Sequence, residues 1–214
     1  KYSLWVNVYG VSERYLNVYG EKDLRAQMNQ FFHRTYTHPV DGTTLDMKML
    51  CNWYWYDETA ILETGKGTKD WNFYRYAETL LSAAEAIAQS SGVNAEAAGY
   101  LAQVKARANM EGKDVSTIAS ELQRLGKQAF IEECWKERLR EFPLEMKIWD
   151  DCVRTGKFPQ ISATNKGEVQ FVDLIGAKNG SGATFKATDL YWPIPVNEIQ
   201  RNPNLTQNEG YSAK

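Results

Sequence analysis

The chain has 214 residues, of which 43% are hydrophobic and 24% are charged, and its formal net charge is −2. This composition is typical of a globular protein, and the length suits one domain or part of a larger one. Because Lys and Arg do not outnumber Asp and Glu, nucleic acid is not an expected partner. No apolar run approaches membrane-spanning length.

Residues 1–72 form an aromatic-rich, loop-rich segment that we regard as a possible ligand-binding region. Residues 4–9 have strand propensity, and several glycines interrupt the segment. We expect a helical scaffold over residues 73–158, and a loop with an extended tail packed on the body over residues 159–214. We expect the three segments to form one domain.

Four consecutive aromatic residues, Trp53, Tyr54, Trp55 and Tyr56, are the candidate ligand-binding residues. Sugar rings present C–H faces that stack on aromatic rings, and Trp and Tyr keep polar edges for hydroxyl groups. If the stretch is a strand, Trp53 and Trp55 share one face and the two tyrosines share the other. The alternative is that all four side chains pack into the protein body.

Apolar side chains at helical spacing predict a helix over residues 72–89, with Phe73 and Tyr76 on its inner face. Asn94 is the predicted N-cap of a second helix that reaches about Met110. The two alanine-rich helices resemble one tetratricopeptide-type pair. Asp114 or Ser116 begins a third helix, which continues into the next segment.

Residues 127–156 carry the strongest helical pattern, with Ile131, Trp135, Leu139 and Phe142 on one face. Pro143 predicts a break, since proline lacks an amide donor and clashes with the preceding turn. A short amphipathic helix follows and ends at Gly156. Beyond it we expect a strand within residues 168–175 and a proline-rich extended tail.

The sequence contains no pattern that indicates an enzyme. His33 and His38 are the only histidines, and their spacing does not suit a helical metal site. No spacing of carboxylates indicates a glycosidase pair. We therefore expect no catalytic residues, no metal and no cofactor. We interpret Cys51, Cys134 and Cys152 as buried small side chains, since their odd number and lack of a CxxC motif suggest no disulfide framework.

Four segments in order resemble motifs of the SusD/RagB family of outer-membrane nutrient-binding lipoproteins of Bacteroidetes. Residues 72–81 read NFYRYAETLL, with AEA at 84–86, and residues 100–108 read YLAQVKARA. Residues 137–142 read ERLREF, with WDDCVRTGK at 149–157. The tail reads PIP at 193–195, EI at 198–199, NPNLTQN at 202–208 and GY at 210–211. Asp23 and Arg25 resemble a weaker upstream motif. Met146 stands where the family usually has Gly, and Ile148 where it usually has Arg.

The resemblance implies a mainly α fold, a SusD-like α-α superhelix with tetratricopeptide-like antiparallel helix pairs, extended loops and few short strands. It implies non-catalytic binding of oligosaccharides or polysaccharides at the surface of the bacterial outer membrane. It also implies uptake through a SusC-like TonB-dependent transporter as partner, and attachment through an N-terminal lipid anchor that this chain lacks. The chain therefore resembles a C-terminal portion.

The motif residues are interpreted as scaffold residues that join helices through charged hydrogen bonds, namely Arg75, Glu78, Arg107, Glu137, Arg138 and Arg154. Two alternatives to glycan binding stay open. The first is a helical scaffold or interaction segment whose ligand site lies in a missing N-terminal half. The second is binding of a nutrient that is not a carbohydrate.

Overall fold

The helices of the chain lie mostly in its middle, as the computed structural model of residues 10–212 shows. The predicted strand at residues 4–9 lies outside these described residues. The mainly α-helical fold with few short strands is confirmed. The chain divides into two units. One takes in the chain up to Ile148 together with Ile161–Gln170, and the other takes in Trp149–Gln160 and the chain from Phe171 onward.

The first unit is built on four helices: α1 (Tyr76–Ser91), α2 (Ala95–Ala106), α3 (Val115–Leu122) and α4 (Lys127–Glu141). The predicted caps are present. The Asn94 side chain accepts a hydrogen bond from the Ala97 amide at 2.9 Å, and Asp114 accepts one from the Thr117 amide at 2.8 Å. Each cap satisfies an amide that the first helical turn leaves without a partner.

Alanines fill much of the interface between α1 and α2. Ala84 and Ala88 of α1, and Ala97 and Ala98 of α2, are fully buried. Small side chains let two helix backbones approach closely, so larger residues such as Leu101 can fill the remaining core. The short connection between Ser91 and Ala95 makes the two helices an antiparallel pair, as the sequence predicts.

The first helix starts later than expected, and its predicted inner face is wrong at two positions. The Arg75 backbone is extended and precedes the helix, because its guanidinium is bound to Glu141 and Glu145. Phe73 and Tyr76 are 76% and 72% exposed instead of buried. The buried face instead carries Ala77, Glu78, Leu80, Leu81, Ala84, Glu85 and Ala88.

Three other helix boundaries can be compared with the boundaries predicted from the sequence. The second helix ends at Ala106, short of Met110. The third helix stops at Leu122, and Gly126, with an extended backbone, precedes α4. The break at Pro143 is confirmed, since α4 ends at Glu141 and helix α5 is Ile148–Thr155. The faces of α4 are confirmed as well, because Ile131, Leu139 and Phe142 are buried and Trp135 packs against the core.

Two antiparallel strands lead into the candidate site. Strand β1 (Phe32–Thr37) pairs with β2 (Thr44–Asn52), and the register shifts between His33 and Thr35. Such an irregularity bends a strand and redirects its side chains. The last residues of β2 are buried, so the residue that follows the strand is fixed in position.

Strands β3 (Lys157–Ile161) and β4 (Val169–Asp173) form a second two-stranded sheet, which confirms the strand predicted within residues 168–175. In the second unit the tail is not simply extended. It contains a 3₁₀ turn at Ala187–Leu190 and helix α6 (Val196–Arg201). The Gln207 side chain both donates to and accepts from the Ile194 backbone, at 2.8 Å each, which holds the tail on itself.

Candidate functional site

The four predicted aromatic residues form a tight turn and not a strand. Strand β2 ends at Asn52, whose side chain accepts a hydrogen bond from the Tyr54 amide at 2.9 Å and starts a 3₁₀ turn at Trp53–Trp55. A 3₁₀ turn places residues three apart above one another. The rings of Trp53 and Tyr56 therefore stack, at 4.4 Å between centroids and an angle of 11°. The alternating arrangement expected for a strand is absent from this segment.

Trp53 is enclosed by rings from two elements. Its indole stacks on Tyr56 and, at 3.8 Å and 15°, on His33 of β1. Two rings so close to the centre of one indole face would overlap, so His33 and Tyr56 cover opposite faces. Tyr36 lies 5.9 Å from both Trp53 and Tyr56 and closes the cluster on a further side. Neither face of Trp53 is open to a sugar ring.

The ionisation of this cluster follows from its packing. Burial raises the pKa of the Tyr56 hydroxyl above its usual range, and the neighbouring Tyr36 hydroxyl raises it further. Burial lowers the pKa of His33, with a smaller opposing contribution from the Gln30 backbone. His33 and Tyr56 therefore stay uncharged near neutral pH, which suits stacking against an apolar surface.

Trp55 packs against a further aromatic ring, Trp71, which the sequence analysis did not select. The Trp55 indole lies 4.5 Å from Trp71, at 34°, and 4.9 Å from Tyr54 in an edge-to-face arrangement. Trp53, Tyr54, Trp55 and Tyr56 are all half-buried, whereas Trp71 is 49% exposed. The segment before α1 thus returns to the turn and extends its aromatic surface.

Polar groups from the same returning segment surround Tyr54. The Asn72 side-chain amide donates to the Tyr54 hydroxyl at 2.8 Å. The Lys69 ammonium donates to the Tyr54 carbonyl and lies 5.1 Å from the Tyr54 ring centroid, and the Arg75 guanidinium lies 5.3 Å from it. Both distances are in the cation–π range. Tyr54 is therefore held through its hydroxyl and carbonyl groups and also through its ring.

The sequence analysis missed this returning segment because proximity to Trp55 depends on tertiary structure. One signal was present, since Trp71 directly precedes the predicted start of the first helix at residue 72 and follows a polar stretch. His33, considered only as a metal ligand, functions here as a stacking partner. His38 accepts hydrogen bonds from the amides of Val40 and Asp41 in the β1–β2 turn.

Among the charged motif residues, Arg75, Arg107 and Arg138 join separate segments, as the sequence analysis expects. Arg154 instead binds Asp151, one turn earlier in its own helix α5. Arg75 binds Glu145 at 2.7 Å and Glu141 at 3.1 Å, and Arg107 binds Glu141 at 2.7 Å. Arg138 of α4 lies 3.3 Å from Glu78 of α1. Except for the exposed Arg107 and Arg154, these groups are partly or fully buried, so their charges need such partners.

Glu137 and Arg25 are at the centre of this network. Glu137 is fully buried, and its carboxylate lies 2.9 Å from Arg25, 3.2 Å from Arg140 and 3.7 Å from Lys105. Burial by itself would raise the pKa of Glu137. The three cations outweigh burial and hold the pKa at about 2. Asp23 binds the same Arg25 at 2.7 Å, so both residues of the weaker upstream motif belong to the network.

A cavity of about 360 Å³ lies over part of this network, and its lining has no aromatic side chain. Its charged lining residues include Lys105 and Glu137, which bind one another, and Lys113, which binds Glu111 and Glu121. Most of the charges that the cavity presents are therefore already paired. The aromatic surface at Trp55 and Trp71 is a separate feature of the first unit.

The three cysteines, Cys51, Cys134 and Cys152, are buried, as predicted. Burial raises the pKa of the Cys152 thiol to about 11, and burial also raises that of Cys134. Within residues 10–212, no group of three or more His, Cys, Asp or Glu side chains has an arrangement suited to a metal ion. None of the helices in this described part has the length and hydrophobicity to cross a membrane.

The first unit combines helix pairs with an aromatic surface at Trp55 and Trp71. The chain belongs to the SusD family, whose model matches residues 13–211. This is a family of non-catalytic binding proteins, in agreement with the expectation that the chain is not an enzyme. The resemblance drawn from the four motifs is thereby confirmed.

Two relatives illustrate the match. The chain is 36% identical over 138 residues to the starch-binding protein SusD of Bacteroides thetaiotaomicron, an alignment that covers 64% of this chain and 21% of SusD. A solved SusD superfamily protein from Parabacteroides distasonis superposes with a TM-score of 0.77 at 29% identity, over 96% of this chain and 44% of that one. The chain thus spans less than half the length of either relative.

Proposed function

We propose that this chain contributes to non-catalytic binding of oligosaccharides or polysaccharides at the bacterial outer-membrane surface, for uptake through a SusC-like TonB-dependent transporter. The observation that carries the proposal is the aromatic turn Trp53–Trp55 with Tyr56, in which Trp55 packs against the half-exposed Trp71, in a member of the SusD family. The starch-binding relative supports a carbohydrate as the ligand class.

We assign ligand binding to residues 1–72 and support to the helices within residues 73–158, with the segment 159–214 packed as a tail. Trp53, Tyr54, Trp55 and Tyr56 form the proposed site. Aromatic rings contact the C–H faces of a sugar, while the amide and ammonium groups next to Tyr54 suit its hydroxyl groups. The enclosed position of Trp53 gives it the role of fixing the turn.

Affinity gel electrophoresis of the full chain in soluble starch, dextran, xylan and galactomannan tests the proposal. We expect at least one polysaccharide to retard the wild-type protein. We expect Trp55→Ala to reduce the retardation, and the matched variant Trp149→Ala, in the second unit, to leave it unchanged. Circular dichroism of each variant controls for folding. If no polysaccharide or glycan-array spot binds a well-folded wild-type protein, the glycan proposal for this chain fails.

The second candidate function is a helical scaffold whose ligand site lies outside this chain, or a nutrient that is not a carbohydrate. The ion pair between Arg138 of α4 and Glu78 of α1 favours a structural role for this part of the protein, and Lys147 also binds Glu78. The scaffold proposal predicts that a SusC-like barrel co-purifies with the intact protein and that replacing Trp53 and Trp55 by Ala disturbs folding and not affinity. Loss of affinity with unchanged folding would contradict it.

A further inference from the structure

The aromatic rings near the turn differ in how much surface they leave for a ligand. Trp53 is covered on both faces by His33 and Tyr56, and Trp55 is half-buried under Trp71. Trp71 contacts Trp55 on one side and is 49% exposed. Among these indoles, Trp71 is the one with a face that a ligand can reach without rearrangement.

The support behind Trp71 makes it a better platform than an isolated surface Trp. Its indole rests on Trp55 at a centroid distance of 4.5 Å. Trp55 in turn meets Tyr54, which Asn72 holds by a hydrogen bond of 2.8 Å to its hydroxyl. An aromatic ring that is already fixed loses little conformational entropy when a ligand binds.

We propose that the outer face of Trp71 stacks on a pyranose ring of a neutral glycan chain, with Trp55 as its backing and Trp53 as a structural ring. This inference rests on the proposed function and moves its contact residue outside the four predicted positions. Lys69, two residues before Trp71, is engaged by the carbonyl groups of Tyr54 and Tyr56, so it gives no reason to expect an acidic sugar.

The open position of Trp71 also indicates the size of the ligand. A sugar ring that is bound through one face on a half-exposed indole makes no contact that requires a chain end. Internal units of a polymer can therefore bind as well as terminal ones. We expect polysaccharides and longer oligosaccharides to bind, and free monosaccharides to bind poorly, since they gain a single stacking contact.

The test compares the wild-type chain with Trp71→Ala, Trp71→Phe and Trp192→Ala in the same four polysaccharide gels. Trp192 is a matched control, because it is a Trp of the second unit that is 85% exposed. We expect Trp71→Ala to weaken binding about tenfold and Trp71→Phe to weaken it less, because truncating an anchoring aromatic ring removes most of its contact. Trp192→Ala should bind as the wild type does.

A second measurement guards against a folding defect in Trp71→Ala. Acrylamide quenching of tryptophan fluorescence in the wild-type protein should fall when the retarding polysaccharide is added, and this protection should be lost in Trp71→Phe. Wild-type binding that Trp71→Ala leaves unchanged, or that Trp192→Ala weakens equally, overturns the assignment to Trp71 while the proposed function stands. Absence of any wild-type binding overturns both.

Discussion

The Arg25 guanidinium lies 2.9 Å from the fully buried carboxylate of Glu137, and this ion pair connects an N-terminal turn to the central helix α4. Arg25 also binds Asp23 at 2.7 Å and Glu141 at 3.0 Å. Removing either member of the pair would leave an uncompensated buried charge, which is strongly destabilising.

We expect Glu137→Gln to destabilise the protein by about 3 kcal/mol at pH 7, because it leaves Arg25 and Arg140 buried with one partner fewer. Urea unfolding followed by circular dichroism measures the change. Glu13→Gln is the matched control, since its pair with Arg34 is exposed and should contribute less than about 1 kcal/mol. Equal effects of the two substitutions would contradict the central role of Glu137.

The lowered pKa of Glu137 predicts that the free energy of unfolding depends on pH. The pKa of Glu137 falls from 4.5 to about 2 on folding, so its ionised form favours the folded state. This stabilisation is fully present above pH 4.5 and is lost as the pH falls from there toward 2, where the folded carboxylate takes up its proton. We expect the free energy of unfolding of the wild type to drop by about 3 kcal/mol across this range. The drop should be smaller in Glu137→Gln, and an unchanged slope would contradict the assignment.

Met146 has a left-handed backbone at φ 62°, at a position where the family usually has Gly, and its side chain is exposed. A side chain with a Cβ is strained in this conformation, whereas glycine adopts it without cost. We expect Met146→Gly to raise the free energy of unfolding by about 0.5–1 kcal/mol, the strain relief being offset partly by a more flexible unfolded chain. Met146→Ala keeps the Cβ and should give no gain. Chemical denaturation of the wild type, Met146→Gly and Met146→Ala measures these differences in the free energy of unfolding.

The packing of the C-terminal tail depends on the absence of a side chain at Gly210. A Cβ at this residue would lie 2.1 Å from the Thr188 Cγ2 atom, and its φ is 84°. We expect Gly210→Ala to cost about 2 kcal/mol or more and to increase proteolysis of the tail. Gly182→Ala has a similar φ of 86° with no atom within 4 Å, so it should cost about 1 kcal/mol. A smaller loss at Gly210 than at Gly182 would exclude the steric explanation.

Substitutions of Trp53 and Trp71 should lower the free energy of unfolding by different amounts, because Trp53 is covered on both faces and Trp71 is half-exposed. We expect Trp53→Ala to lower the free energy of unfolding by about 2 kcal/mol, because it leaves a space between His33 and Tyr56. Trp71→Ala, on a half-exposed ring, should lower it by less than about 1 kcal/mol. Thermal and urea unfolding of both variants test this ranking, and the reverse order would show that the turn is not built around Trp53.

The amino-acid sequence by itself determined the helices, their caps at Asn94 and Asp114, the break at Pro143 and the family. These features depend on local spacing, on capping side chains and on motifs read in order. It also directed attention to Trp53–Tyr56. Only the tertiary structure decided which rings there are covered, because His33 reaches Trp53 from another strand and Trp71 reaches Trp55 from the segment before α1. It likewise decided the start of α1, where Arg75 is held by Glu141 and Glu145, since such pairs join residues far apart in the chain and no local periodicity encodes them.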